Sequence, residues 1–120
     1  MLLRDGGITV CAAVPAVERA LIATDGDRAA FSRLRILRLN SDTVTAGDVA
    51  GLAPRLAPTA RILIRYGMTE SGTTIAQRLV DPHGPVEPGR LAVGVPLPGQ
   101  TVTIEDANGN SCLLYTSRCV

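Results

Sequence analysis

The segment RYGMTESGT, residues 65–73, packs an aromatic, two glycines, three hydroxyl residues and one carboxylate behind an apolar run. Each type has a chemical use. Tyr66 offers a flat face to a planar ring, and Gly67 lets backbone approach a ligand closely. The Thr69 hydroxyl can donate to an oxyanion, and the Glu70 carboxylate is a hard oxygen that suits Mg²⁺ or a proton. A site that handles a nucleotide phosphate needs these parts. Ser, Thr and Gly also crowd ordinary turns, so residue types alone leave both readings open.

The elements that must position this segment follow from the hydrophobic pattern. Gly7 to Val14 is a short β-branched run opened by glycines, hence a buried strand. Pro15 suits a first helical turn, and Val14, Val17 and Leu21 recur at helical spacing. Residues 24–32 form a polar connector in which Asp25, Asp27 and Arg28 read as solvated. Leu34 to Leu39 is a second strand, with Arg35 and Arg38 read as strand-edge surface. Thr45 and Asp48 have the spacing of a capping box, and Val49, Leu52, Ala53 and Leu56 make one helical stripe that Pro54 should end. ARILIRY, residues 60–66, is nearly all apolar, as a central parallel strand should be. Strand, helix, strand, helix, strand at these intervals is a βαβαβ unit, with ligands expected at the carboxyl ends of its parallel strands. Asn40–Asp42 and the Gly67–Gly72 stretch both fall on that edge.

After Gly72 the pattern changes to the start of a β-rich subdomain. Proline-glycine loops precede a strand at residues 101–105, which runs into Asn108-Gly109, a hairpin dipeptide. The fold class is therefore α/β: the βαβαβ portion of a parallel sheet layer plus that β-rich beginning, together a partial domain over residues 1–111. Residues 112–120, beginning CLLYTS, change character abruptly and resemble a translated sequencing adapter, so they are set aside as a non-native tail.

Composition removes several classes. A net charge of +1 and 2% aromatic content leave no basic, stacking surface for nucleic acid. Arg4, Asp5, Gly6 and Gly7 interrupt the N-terminal apolar stretch, so it is neither a signal peptide nor a membrane span, and a cytoplasmic location is expected. Cys11, Cys112 and Cys119 lack metal-ligand spacing. Cys11 reads as core, and His83 is a loop histidine with no Ser or Cys partner nearby.

The 65–73 stretch resembles the YGxTE signature of the adenylate-forming superfamily, which includes acyl-CoA synthetases, firefly-type luciferases and adenylation domains of nonribosomal peptide synthetases. VPAVERAL (14–21) is similar to the family's VPxxxxxLL helix entry, and LRILRLNSDTVTAGDV (34–49) to LRLIRLGGExVTPADV. GRLAVGVPLPGQTVTIEDANGN (89–110) is similar to VGRPLPGxxVxIxDxxGxxV. MTESGTTIAQRLVDP most resembles the peptide-synthetase type or its stand-alone relatives.

The resemblance implies an ATP-dependent ligase. A carboxylic acid (amino, aryl or fatty) becomes an acyl-adenylate and passes to a thiol, from coenzyme A or a carrier-protein pantetheine arm. It implies that Tyr66 lies against adenine, with Gly67 and Met68 beside the nucleotide. Thr69 meets the AMP phosphate, Glu70 binds Mg²⁺, and Asn40, Ser41 and Asp42 border adenine. NSD departs there from the family's GGE or GSE, and Asn for Gly costs backbone freedom. The acyl pocket would be lined by Ala12, Leu37, Leu39, Arg65, Thr73 and Thr74. Arg65 either pairs an acidic substrate or points to solvent at a strand end. The family's phosphate loop, ribose-binding aspartate, C-terminal lysine and amino-binding aspartate are not in these residues, so the chain alone is expected to be inactive. The competing reading is a non-catalytic α/β nucleotide-binding or interaction module.

Overall fold

The computed structural model describes residues 2–24 and 28–111. The 112–120 tail, with Cys112 and Cys119, and the connector residues Asp25 and Asp27 lie outside the described residues. A helical turn, α1 (Leu2–Asp5), precedes β1 (Val10–Ala13), α2 (Pro15–Ala23), β2 (Ile36–Leu39), α3 (Ala46–Leu52) and β3 (Arg61–Met68). Then come β4 (Thr73–Val80) and the two-residue β5 (Val95–Pro96). One sheet holds the strands in chain order, β1-β2-β3-β4-β5. β1, β2 and β3 are parallel, as the βαβαβ pattern requires, and β4 and β5 continue the sheet antiparallel. The β-rich continuation thus joins the same sheet.

Period-two alternation divides the sheet into unlike faces. Leu37, Leu39, Ile62, Ile64 and Val80 point to one face and, with Val49, Leu52 and Leu56 of the α3 region, form the core. Cys11 packs, half-buried, against its edge. The α3 stripe is buried as the sequence predicts, and the helix gives way at Ala53 to a 3₁₀ turn containing Pro54. Its capping box is complete: the Asp48 N–H donates to Thr45 Oγ1 at 3.3 Å, and the Thr45 N–H donates to Asp48 Oδ2 at 2.8 Å.

Three sequence expectations fail here. The β1 strand, expected to be buried, lies at the sheet edge with Val10 57% exposed. Helix α2 buries Pro15 and Glu18, while Val17 is 51% exposed. Val17 belongs to the apolar stripe by spacing alone; the packing of α2 against α3 turns its neighbour inward. Residues 101–105 form no strand. Val102 and Ile104 are exposed, and among the described residues a single bridge, Glu105 to Ser111, closes the turn at Asn108-Gly109. Asp106 accepts from the Asn108 and Asn110 N–H groups, each at 2.9 Å, so local bonds hold that turn without a sheet.

Candidate functional site

The RYGMTESGT segment is the connection of a β-hairpin, not a loop outside a strand end. β3 runs through Tyr66, Gly67 and Met68, a 3₁₀ turn carries Thr69–Ser71, and β4 begins at Thr73. Three features fix this geometry. The register slips between Tyr66 and Gly67, so Ile75 is left as an extra residue on β4. A Cβ on Gly67 would lie 2.6 Å from the Thr73 carbonyl oxygen and 3.2 Å from Thr74 Cα, which only glycine avoids. Gly72 ends the turn at φ +64°, a left-handed conformation that suits glycine. The Ser71 hydroxyl sits 2.8 Å from both the Met68 and the Thr73 carbonyl oxygens, and binds the two limbs together. The Thr69 and Glu70 side chains are exposed and make no hydrogen bond among the described residues.

Two clefts flank the end of β3. The first, about 460 Å³, opens on the face opposite the core. β2 and its end contribute Arg38 and Asn40, β3 contributes Arg65 and Met68, and the hairpin contributes Thr69, Thr73 and Thr74. The second, about 420 Å³, lies on the core side. Tyr66, Asp42, Thr43 and Val44 form one part of it, and Arg90, Leu91 and Val93 another. The two share Ser41, Arg65 and Gly67, so they meet at the glycine.

Most sequence-predicted residues therefore converge on this end of the sheet, but in two groups. Tyr66 and Asp42 face the core-side cleft, while Asn40, Met68, Thr69, Thr73 and Thr74 face the outer one. Glu70 stands on the turn beside Thr69 and lines neither cleft. Ala12 pairs with Arg38 in register and shares its face, further from the strand end.

Leu37 and Leu39 do not line an acyl pocket. They are 1% and 0% exposed, inside the core. Arg38 and Asn40 occupy the cleft instead, because a one-residue slip along a strand moves every side chain to the other face. Arg38, read as surface from sequence, is the residue this error hides; its alternation with Asn40 was the available signal. Arg90, Leu91 and Val93 were missed because their segment carries no periodic pattern and reaches the site only by tertiary pairing. The Leu91 N–H donates to the Val44 carbonyl at 2.9 Å and the Ala46 N–H to the Gly89 carbonyl at 2.8 Å.

The NSD segment adopts the unusual backbone a glycine would favour, but at its second residue. Ser41 has φ +71°, the one non-glycine with positive φ among the described residues, and Asn40 is not strained. Asn40 Nδ2 donates to Ser41 Oγ at 2.9 Å. Behind this wall, Arg19 of α2 donates to Asp48 Oδ1 at 2.6 Å and Oδ2 at 2.8 Å, and to the Thr43 carbonyl at 3.1 Å. The Arg19 hydrogen bonds hold the Asp48 carboxyl down at about 2, helped by Thr45. The same contacts raise Arg19 further above its already high value. This fork ties the start of α3 to residues 42–43, and so sets the position of the core-side cleft wall.

The parallel half of this mixed sheet ends in two joined clefts, one with the Tyr66 ring and the other with several hydroxyls, with guanidinium groups in both. The chain belongs to the AMP-binding enzyme family, whose model matches residues 1–113. No curated protein sequence matches it. Among solved structures it is similar to IdnL1, at 26% identity and TM-score 0.79, over 92% of this chain and 23% of that one. It is also similar to PA1221, an NRPS protein containing adenylation and PCP domains, at 21% identity and TM-score 0.78, over 98% and 23%. The Klebsiella oxytoca NpsA N-terminal subdomain, solved with 3-hydroxybenzoyl-AMSN, has the same fold at 13% identity and TM-score 0.71, over 93% and 28%. The chain thus spans about a quarter of the length of these structures. Among the described residues no helix is long and apolar enough to cross a membrane.

Proposed function

We propose that this chain is part of an ATP-dependent ligase that activates a carboxylic acid as its acyl-adenylate and passes the acyl group to a thiol, on carrier-protein pantetheine or coenzyme A. The observation that carries this reading is the pair of clefts meeting at Gly67. Adenine lies against Tyr66 on the core side, bordered by Ser41 and Asp42. The acid occupies the outer cleft beside Arg65, Thr73 and Thr74. The α-phosphate bridges the two past Gly67, where no side chain obstructs it, and comes within reach of Thr69.

In the first step a carboxylate oxygen forms a bond to the α-phosphorus and pyrophosphate leaves. In the second a thiol sulfur bonds to the acyl carbon, its proton is lost to solvent, and AMP leaves. The chain's own residues position and stabilise charge. The Thr69 hydroxyl donates to the phosphate oxygen on which charge accumulates, and the Ser71 bonds keep the turn rigid. Mg²⁺ fits Glu70, an exposed carboxylate with no partner among the described residues. Magnesium commonly takes one or two protein carboxylates and leaves the rest of its shell to phosphate and water. Once bound, the ion supplies charge neutralisation on the phosphates. A PCP domain beside the adenylation domain in PA1221 supports a carrier-protein partner, and the AMSN ligand of NpsA supports an acyl-adenylate.

The test is carboxylate-dependent ATP–pyrophosphate exchange by the full-length protein that contains this chain. Glu70→Gln should lower exchange by about 100-fold, the scale for removing a group that stabilises transition-state charge. Wild-type exchange in that variant would remove Glu70 from the site, and no exchange with any acid would overturn the ligase reading.

A further inference from the structure

The outer cleft holds positive charge that nothing in the described chain neutralises. Arg38 from β2 and Arg65 from β3 both line it, and no carboxylate does. Neither arginine forms an ion pair or side-chain hydrogen bond among the described residues. Arg19 has acidic partners in Asp48 and Asp42, Arg61 in Asp81 and Arg78 in Glu87; Arg33, Arg35 and Arg90 have none among the described residues, but only Arg38 and Arg65 line the outer cleft. Arg65 Nε is fully buried and has no acceptor. A buried donor on a cation without a partner is destabilising, and since Arg65 also lines the cleft, an anion bound there compensates the charge of its guanidinium group.

Arg38 pairs with Leu63, two residues before Arg65 on the adjacent strand. Strand spacing and rise then place the two Cα atoms about 8 Å apart on one face. Two arginine side chains from that separation can converge on a single anion. Arg38 also lies two residues further from the strand end than Asn40, away from the hairpin that carries Thr69. The anion they bind is therefore not the one that reacts there.

We infer that the acid taken by this site carries a second negative group, in the simplest case as a dicarboxylate, held by Arg38 and Arg65 while its other carboxylate is presented at Thr69. This rests on the ligase reading for the reacting end, and on the two arginines for the far end. Planar guanidinium groups match a carboxylate through two parallel hydrogen bonds, which a neutral amide of the same shape cannot satisfy twice over.

The experiment compares acids with their own monoamides: succinate, glutarate, aspartate and glutamate. Binding to the full-length protein is measured by calorimetry, with ATP–pyrophosphate exchange in parallel. We expect at least one diacid to bind about 100-fold more tightly than its monoamide, the scale of a buried charge-assisted pair. Arg65→Gln and Arg38→Gln should each remove at least tenfold of that preference, read as the ratio of diacid to monoamide affinity in the same variant. Arg65→Lys, which keeps the charge, should retain part of it, and thermal melts establish that each variant folds. Equal binding of diacid and monoamide throughout, no diacid binding, or a preference indifferent to both arginines overturns the inference; the arginines then answer a carboxylate elsewhere in the protein. Full exchange with monoamides sinks the inference and leaves the ligase reading. Arginine-dependent diacid binding without exchange on any acid does the reverse.

Discussion

Glu18 is an acid in the wrong place, and its position has a measurable consequence. It lies on the inward face of α2, 1% exposed, and neither carboxylate oxygen has a hydrogen-bond partner among the described residues. Burial, and then the neighbouring Asp48 carboxylate, push its pKa up from 4.5 to about 7, against the opposing pull of Arg19 and Arg55. In the unfolded chain Glu18 ionises near 4.5; in the folded chain it keeps its proton until about 7. Between these values the native state binds more protons than the unfolded state, so stability falls as pH rises. Below pH 4.5 both states are protonated and the effect vanishes; above about 7 it is complete. At about 1.4 kcal/mol per pH unit, that interval amounts to roughly 3 kcal/mol. Asp48 and Glu87, held down at about 2 from 3.8 and 4.5, add stability as pH rises to about one unit above those unfolded values. They therefore oppose the Glu18 effect only at the start of the window and leave the fall towards pH 7 clear. Urea unfolding at half-unit steps from pH 4.5 to 8 should show the wild-type midpoint falling over the window. Glu18→Gln, isosteric and neutral, should remove that fall. A wild-type profile level from pH 5 to 7.5, or an equal slope in Glu18→Gln, would refute the reasoning.

Two further outcomes test the site's backbone. Gly67→Ala sets a methyl group against the Thr73 carbonyl, 2.6 Å away, and should destabilise by about 1–3 kcal/mol, read from the urea midpoint, as the hairpin limbs are forced apart. Ser41→Gly relieves the positive φ at 71°, and should raise stability by about 0.5–1 kcal/mol in the same assay after the entropy of glycine is offset; a lowered midpoint would show that the Asn40–Ser41 hydrogen bond outweighs the backbone strain. The loss of exchange in Glu70→Gln and the diacid preference through Arg38 and Arg65 complete the set.

Much of the site was legible because it is local. A glycine that permits close approach, hydroxyl residues and glycines crowded into a turn, and a Thr45–Asp48 capping box all act between near neighbours. A sequence can state such constraints directly. The parallel order of β1, β2 and β3 was legible for a related reason: crossover handedness leaves few alternatives once the strands and helices are placed. Face was not legible where two patterns competed. In β2, leucines and arginines alternate, and a choice of one residue's phase decides whether Leu37 and Leu39, or Arg38 and Asn40, meet the ligand. Only the helices packed on the sheet make that choice.

The sequence by itself determined the βαβαβ elements, their order and the residue types gathered at one sheet end, since these depend on short-range spacing and residue type. Tertiary structure alone decided that β4 pairs with β3 and turns the Thr69–Ser71 loop into a hairpin. It also decided that Arg90, Leu91 and Val93 close a second cleft, and that Glu18 rather than Val17 faces inward. Each of these depends on contacts between residues far apart in the chain. Their energy comes from burial and from hydrogen bonds whose partners no local pattern names.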